Sequence, residues 1–327
     1  MQKTIVAIAM GGYSSEFEIS LKSGAVVYEA IDKTNYEVYA VHVLKDTWQY
    51  VFPDGTTALV DKATFGCSHQ GNTILPDVVF NTIHGTPGED GFLASYLELI
   101  GVPQTSTGFY EAALSFNKRD CLSVLKNFGI PCATSVYINE GEPILTSEIL
   151  DIVGLPCFVK PNRAGSSFGI SRVTNTENLE IAILEAYKED SEVLIESELV
   201  GTEVSVGAYQ HKNEIHILPP TEIVSENDFF DYEPKYQGKS QEITPARISE
   251  ATTKAVQEAT KNVYQLLNMK GVTRSDFIIQ NGTPFFIETN TTPGLSKESI
   301  IPKQVKEAGI NLTDFFVMLV ENAIDKS

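Results

Sequence analysis

Paired cysteines, basic residues and long apolar runs are all scarce in this chain, and each shortage removes a class of function. The four cysteines, Cys67, Cys121, Cys132 and Cys157, form no CxxC pair and no metal-ligand spacing. Reduced, buried thiols are expected, rather than a disulfide framework or a zinc site. Only 24 Lys and Arg stand against 43 Asp and Glu, a net charge of −19 that repels a polyanionic backbone and argues against nucleic acid as a partner. No apolar run approaches the roughly 18 residues of a membrane span, and "MQKTIVAIAMGG" lacks the apolar core and cleavage site of a signal peptide. The expected location is therefore cytoplasmic, with no membrane partner. An acidic protein that binds phosphate must gather its few cations locally, which makes each basic residue informative.

Two phosphate-binding signatures are also missing. "GGYSSE", after the first apolar run, is not GxGxxG. In "FVKPNRAGSSFGIS", from Phe158 to Ser171, the lysine precedes the glycines, so the GxxxxGK[ST] pattern is absent. The following "GISRVTN" is β-like, so no helix N-terminus begins there to receive phosphate. Two readings stay open: a simple Gly/Ser turn, or a glycine-rich strand-loop-strand whose backbone N–H groups cover phosphates with Lys160 beneath.

What is present is strand and helix alternation. "KTIVAIAM" reads as a buried strand, followed by a glycine turn and a helix for which Ser15 and Glu18 have capping-box spacing. "NYEVYAVHVL" and "PDVVFNTIHG" are further strands, with hairpins or loops at "FPDGTT" and "CSHQGNT" between them. This predicts a small parallel α/β unit ending near Gln104. Beyond it, a helix through "SFNKRDCLSVLKNFG" stops at Gly129 and Pro131, and "ENLEIAILEAYKE" is another. "GTEVSVGAYQ" and "EIHILPPTEIV" read as paired strands. "SENDFFDYEPKYQGKSQEIT" has neither periodicity and suits a functional lid. "PARISEATTKAVQEATKNVYQLLNM" predicts a long helix ending at Gly271.

The most informative segment is "GVTRSDFIIQNGTPFFIETNTTPGLSKES". A hairpin with the three-residue loop Asn281-Gly282-Thr283 sets Asp276 opposite Glu288 and Arg274 opposite Asn290, on one face. Facing carboxylates repel unless something neutralises them. Asp276, Glu288 and Asn290 are hard oxygen ligands of the kind Mg²⁺ uses. The competing reading is a solvated polar face on which Arg274 screens the acids. "HGTPGEDG", starting at His84, lies at the carboxyl end of an apolar strand, where open α/β sheets bind ligands. His84 or Glu16 taken alone reads as readily as a turn residue or a helix-start acid.

Together, "GGYSSEFEIS", "HGTPGEDG", "NKRD", "VKPNRAGSSFGI", "VLIESELVGTEVSV", "DYEPKY", "TRSDF" and "IETNTTPGLSKESI", in this order, closely resemble the D-alanine:D-alanine ligases of the ATP-grasp superfamily. The resemblance spans nearly the whole chain and implies a mixed α/β and α+β, three-domain ATP-grasp architecture. Its parts would be an N-terminal Rossmann-like (pre-ATP-grasp) domain at 1–104, a central subdomain at 105–195 and a C-terminal subdomain at 196–327, with the lid at 225–244. It further implies ATP contacts from Lys118, Lys160, Ser167, Phe168, Glu196, Leu199, Glu203 and Lys235, and magnesium ligands Asp276, Glu288 and Asn290, with two ions expected and Mn²⁺ an alternative. Glu16 would pair with the ammonium of the first D-alanine, helped by His84. Ser299 and the Ile300 backbone would hold the carboxylate of the second, and Arg274 and Gly294 would face the reacting carboxyl. Glu16, Ser166 and Tyr236 would form a hydrogen-bonded trio, which favours D-alanine over D-lactate as second substrate.

The implied activity is an ADP-forming carbon-nitrogen ligase for peptidoglycan precursor, acting as a homodimer. A D-lactate or D-serine ligase, another ligase of the superfamily and a non-catalytic nucleotide-binding module are the alternatives. Three positions depart from the family's common residues: Asn117, Ala164 and Ile300.

Overall fold

The structure is a computed structural model that describes residues 3–163, 165, 169–225 and 240–325. Its N-terminal part contains β1 (Thr4–Gly11), α1 (Phe17–Ala30), β2 (Tyr36–Val43), β3 (Trp48–Val51), β4 (Thr57–Leu59), β5 (Cys67–His69), β6 (Asn72–Ile74), β7 (Val78–Asn81) and α2 (Phe92–Leu99). The sheet runs β4-β3-β2-β1-β7, with β1 parallel to both β2 and β7. "FPDGTT" turns β3 into the antiparallel β4, and "CSHQGNT" is the separate β5-β6 hairpin.

β1 is covered on both faces, as a central parallel strand should be. Val6, Ile8 and Met10 pack with α1, whereas the alternate Ala7 and Ala9 pack with Leu93 and Leu97 of α2. The inner face of α1 is Ser20, Ser23, Gly24 and Val27, mostly small residues at helical spacing. A Cβ on Gly24 would come within 2.7–2.9 Å of Met10, so glycine is what lets the helix lie this close to the strand.

Next come α3 (Phe109–Phe116), α4 (Lys118–Asn127), β8 (Ser135–Asn139), α5 (Thr146–Val153), β9 (Cys157–Pro161), β10 (Ser171–Val173), α6 (Leu179–Ala186) and β11 (Glu192–Ser197). The antiparallel sheet β10-β9-β11-β8 packs on α5 and α6. The remainder is β12 (Thr202–His211), β13 (Glu214–Ile217), β14 (Thr221–Ser225), β15 (Ser240–Ile243), α7 (Glu250–Leu266), β16 (Val272–Gln280), β17 (Thr283–Asn290), α8 (Ile300–Glu307) and α9 (Leu312–Ile324). Here the sheet β15-β14-β12-β16-β17, with β13 beside β12, packs on α4 and α7. Among the described residues no helix is long and apolar enough to cross a membrane.

Several local expectations are corrected. α1 begins at Phe17 with Glu16 as its cap position and no side-chain cap bond, so Ser15 and Glu18 make no capping box. Instead Ser14 Oγ accepts from Glu16 N. The helix expected through "SFNKRD" is broken at Asn117, which ends α3 and caps α4 by accepting from Asp120 N at 3.1 Å. α7 starts only at Glu250, capped by Ser249.

The C-terminal helix completes the N-terminal core. Phe315, Phe316, Leu319 and Val320 of α9 join Val6, Ile8 and Phe80, and the Phe80 and Phe316 rings meet edge-on at 5.7 Å. Phe316→Ala is expected to destabilise by about 3–5 kcal/mol, as for a fully buried aromatic. Denaturant unfolding measures it, and a loss under about 1 kcal/mol would contradict the shared core.

Candidate active site

The site is built around the hairpin of β16 and β17. Asp276 does sit opposite Glu288 and Arg274 opposite Asn290. The turn, however, is the two-residue Asn281-Gly282, both at positive φ (53° and 80°), as a type I′ turn requires. A bulge beside Asp276 and Phe277 restores the register, with Ile287 as the extra residue.

The carboxylates are not left to repel. The Arg274 fork donates to Asp276 at 3.0 and 2.8 Å, Ser205 Oγ of β12 donates to it at 2.6 Å, and Asn290 Nδ2 lies 3.4 Å away. Burial works against the Arg274 charge, but Asp276, with Glu288 and Glu89 behind it, more than compensates and fixes the guanidinium in its charged form. Lys118, the first residue of α4, lies 3.5 Å from Glu288. Lys160 of β9 donates to Glu196 of β11 at 2.7 Å. Burial opposes the Lys160 charge too; Glu196, Glu288 and Glu203 outweigh it and raise its pKa. Three cations and four acids from the β10-β9-β11-β8 and β15-β14-β12-β16-β17 sheets and α4 thus converge.

The loops at the carboxyl ends of β1 and β7 form the other wall. Ser14 Oγ donates to His84 O at 2.9 Å, which places Glu16 beside the His84 loop. Ser23 Oγ lies 3.2 Å from His84 Nε2 and accepts from Leu295 N at 3.1 Å. Burial lowers the His84 pKa, and the Glu16 charge opposes that. A Cβ on Gly165 would fall 2.9 Å from Glu16, so the backbone at Gly165 closely approaches the start of α1. Gly294 is likewise packed on Ser299, whose Oγ bonds Ser296 at 2.7 Å at the start of α8. The N-terminal N–H groups of α8, Ile300 first, lack helical partners and suit an anion.

Comparison with known proteins agrees with this arrangement. Residues 5–107 match the family described as D-ala D-ala ligase N-terminus, and residues 124–321 match D-ala D-ala ligase C-terminus. The D-alanine–D-alanine ligase of Flavobacterium johnsoniae is 57% identical over 97% of this chain and 98% of its own, and that of Christiangramia forsetii 53% over 99% of each. This chain belongs to the D-alanine–D-alanine ligase family. Among solved structures, the VanG D-Ala:D-Ser ligase of Enterococcus faecalis superposes with a TM-score of 0.90 at 29% identity, covering 98% of this chain and 100% of its own. D-alanyl-alanine synthetase A of Vibrio cholerae gives 0.90 at 28% identity, covering 99% of each chain. The fold is accordingly the α/β and α+β ATP-grasp architecture of these ligases.

Of the residues expected in a ligase of this family, Lys118, Lys160, Glu196, Glu203, Arg274, Asp276 and Glu288 form one charged group, with the Asn290 amide beside Asp276. Glu16 and His84 form a second, and Gly294, Ser299 and Ile300 a third. Leu199 lies just beyond β11, in the link to β12. Ala164, Ser166, Ser167, Phe168, Lys235 and Tyr236, and residues 226–239 of the expected lid, lie outside the described residues. The donors Asp276, Glu288 and Asn290 fit a hard divalent ion, although among the described residues no cluster of three or more His, Cys, Asp or Glu forms.

Glu89 escaped sequence reading although it stands within "HGTPGEDG". It is buried, accepts from Gly85 N at 2.7 Å, and is bonded by the Thr292 backbone. Burial first, and then the charge of Glu16, push its pKa up to about 8. Between the ordinary carboxylate range and that value, the folded chain holds a proton that the unfolded chain has lost, so stability falls as pH rises. Glu89→Gln should flatten this slope between about pH 5 and about pH 8 in calorimetric melting. Equal slopes for variant and wild type would contradict it.

Proposed function

We propose that this chain uses ATP to join two D-alanines into D-alanyl-D-alanine, through an acyl phosphate, for cell-wall precursor synthesis. The observation that carries the reading is the convergence of Arg274, Lys118 and Lys160 with Asp276, Glu288 and Asn290 beside the Glu16–His84 loop. It is a site that can take a phosphate chain, a divalent ion and a small zwitterion together.

A carboxylate is a poor electrophile, so the first D-alanine must be activated by phosphorylation before an amine attacks it. Phosphoryl transfer depends on positioning and charge neutralisation. In this reading Lys118 and Lys160 take the ATP phosphates, and Glu203 and Glu196 serve the nucleoside. Asp276, Glu288 and Asn290 hold Mg²⁺, which when bound neutralises charge on the transferring phosphoryl group. Lys235, Ser167 and Phe168 are assigned to cover the phosphates.

Glu16, with His84, holds the ammonium of the first D-alanine, in a trio with Ser166 and Tyr236. Arg274 and the Gly294 N–H face the carboxyl oxygens and stabilise the negative charge that develops on attack. Ser299 and the Ile300 N–H hold the carboxylate of the second D-alanine. D-alanine as acceptor is supported by the D-alanine–D-alanine ligases at 57 and 53% identity, whereas the D-Ala:D-Ser neighbour stands at 29%. Domain limits at 104 and 195, a homodimer and a cytoplasmic location belong to the same reading; of these the limit at 195 and the homodimer rest on the resemblance alone.

Incubation with ATP, Mg²⁺ and a panel of D-alanine, D-serine, D-lactate and L-alanine tests it. Phosphate release that needs both Mg²⁺ and D-alanine, with D-alanyl-D-alanine the main product, is expected. ATP hydrolysis indifferent to D-alanine, or a mixed product as the main species, would overturn it. Arg274→Lys keeps the charge but loses the fork, and should lower kcat about 100-fold. A loss under about threefold would remove Arg274 from the oxyanion role.

A further inference from the structure

α8 carries Ser299 and Ile300 at its start, so the placement of this helix decides where an acceptor carboxylate would sit. Its apolar side, Ile301 and Val305, is buried in the core shared with α9. Apolar packing is non-directional and does not by itself fix the helix along its axis. A directional contact does so one turn into the helix. Gln304 is fully buried, and its amide bonds β12 in place of a neighbouring strand.

β12 pairs with β14 through Ser205 and with β13 from Ala208 onward, leaving a gap at Val206 and Gly207 where the partner changes. Gly207 O accepts from Leu218 N at 2.8 Å. Gln304 supplies the rest: Oε1 accepts from Gly207 N at 2.9 Å, and Nε2 donates to Ser205 O at 2.9 Å and to Thr221 Oγ1 at 3.0 Å. A Cβ on Gly207 would lie 2.7 Å from Gln304 Oε1, so the close approach requires glycine. Ser205 in turn donates its hydroxyl to Asp276 at 2.6 Å. The preceding residue adds a second tie, Lys303 to Glu242 of β15 at 2.9 Å. One amide therefore joins the helix bearing the acceptor residues to the strand that braces Asp276.

We propose that Gln304 is a positioning residue for the acceptor subsite, setting α8 at a fixed distance from the Arg274–Asp276 centre. It rests on the reading that Ser299 and the Ile300 N–H hold the acceptor carboxylate. Gln304→Met keeps length and loses all three bonds; Thr221→Val loses one of them. Initial rates of phosphate release across a D-alanine series, at saturating ATP and Mg²⁺, resolve the KM values of the two amino-acid sites, and melting is recorded in parallel.

For Gln304→Met the acceptor KM should rise roughly tenfold or more, while the KM of the first D-alanine and of ATP stay within about twofold. Thr221→Val should shift the same constant, by less. Both amino-acid KM values rising together, or an unchanged acceptor KM in a folded Gln304→Met, would overturn the proposal. Should Gln304→Met fail to fold, an unchanged acceptor KM in Thr221→Val does the same. The underlying reading fails separately if wild type shows no D-alanine-dependent phosphate release, or if Ser299→Ala leaves the acceptor KM unchanged.

Discussion

Asp276 and Glu288 face each other across a hairpin, and their like charges repel unless something cancels them. Arg274 lies against Asp276, Lys118 reaches Glu288, and on the facing sheet Lys160 takes Glu196. A chain with only 24 basic residues places three of them here, each from a different element. Lys118–Glu288 ties α4 to β17, and the Glu288 charge also acts on Lys160 of β9, so these elements are held by electrostatics as well as by packing. A magnesium nucleotide offers both kinds of partner at once. In the proposed reading the acids would turn to the metal and the lysines to the phosphates, so that binding would exchange ion pairs rather than create them.

The hairpin register was legible in the sequence because period-two alternation and an Asn-Gly turn are local signals. The loop was nonetheless read one residue too long, and the extra residue reappears as the bulge at Ile287. That bulge has no local cue. Its neighbour Phe286 donates to Pro131 O at 2.8 Å, a contact between distant segments. Helix starts failed for a similar reason. Ser14 serves His84 as well as Glu16, and Asn117 is shared between Asp120 and Asn162.

The facing of Asp276 with Glu288 and of Arg274 with Asn290 was legible from the hairpin alone, whereas Lys118, Lys160, Glu196 and Glu203 entered only through the resemblance. Glu89 and Gln304 were missed, since a buried polar residue with backbone partners looks in sequence like a surface one. The α9 contribution to the N-terminal core was equally hidden. Phe315 and Phe316 mark a buried helix face, yet nothing local says which sheet covers it. That shared core fixes the wall bearing Glu16 and His84 relative to the hairpin, and the Ser23–Leu295 bond reinforces it.

The exchange of partners is tested most directly by calorimetric titration with a non-hydrolysable ATP analogue, with Mg²⁺ and then with a chelator. Affinity at least roughly tenfold higher with Mg²⁺ is expected, a gap of about 1.4 kcal/mol that narrows in Glu288→Gln. Equal affinity with and without the metal, in wild type, would contradict the account.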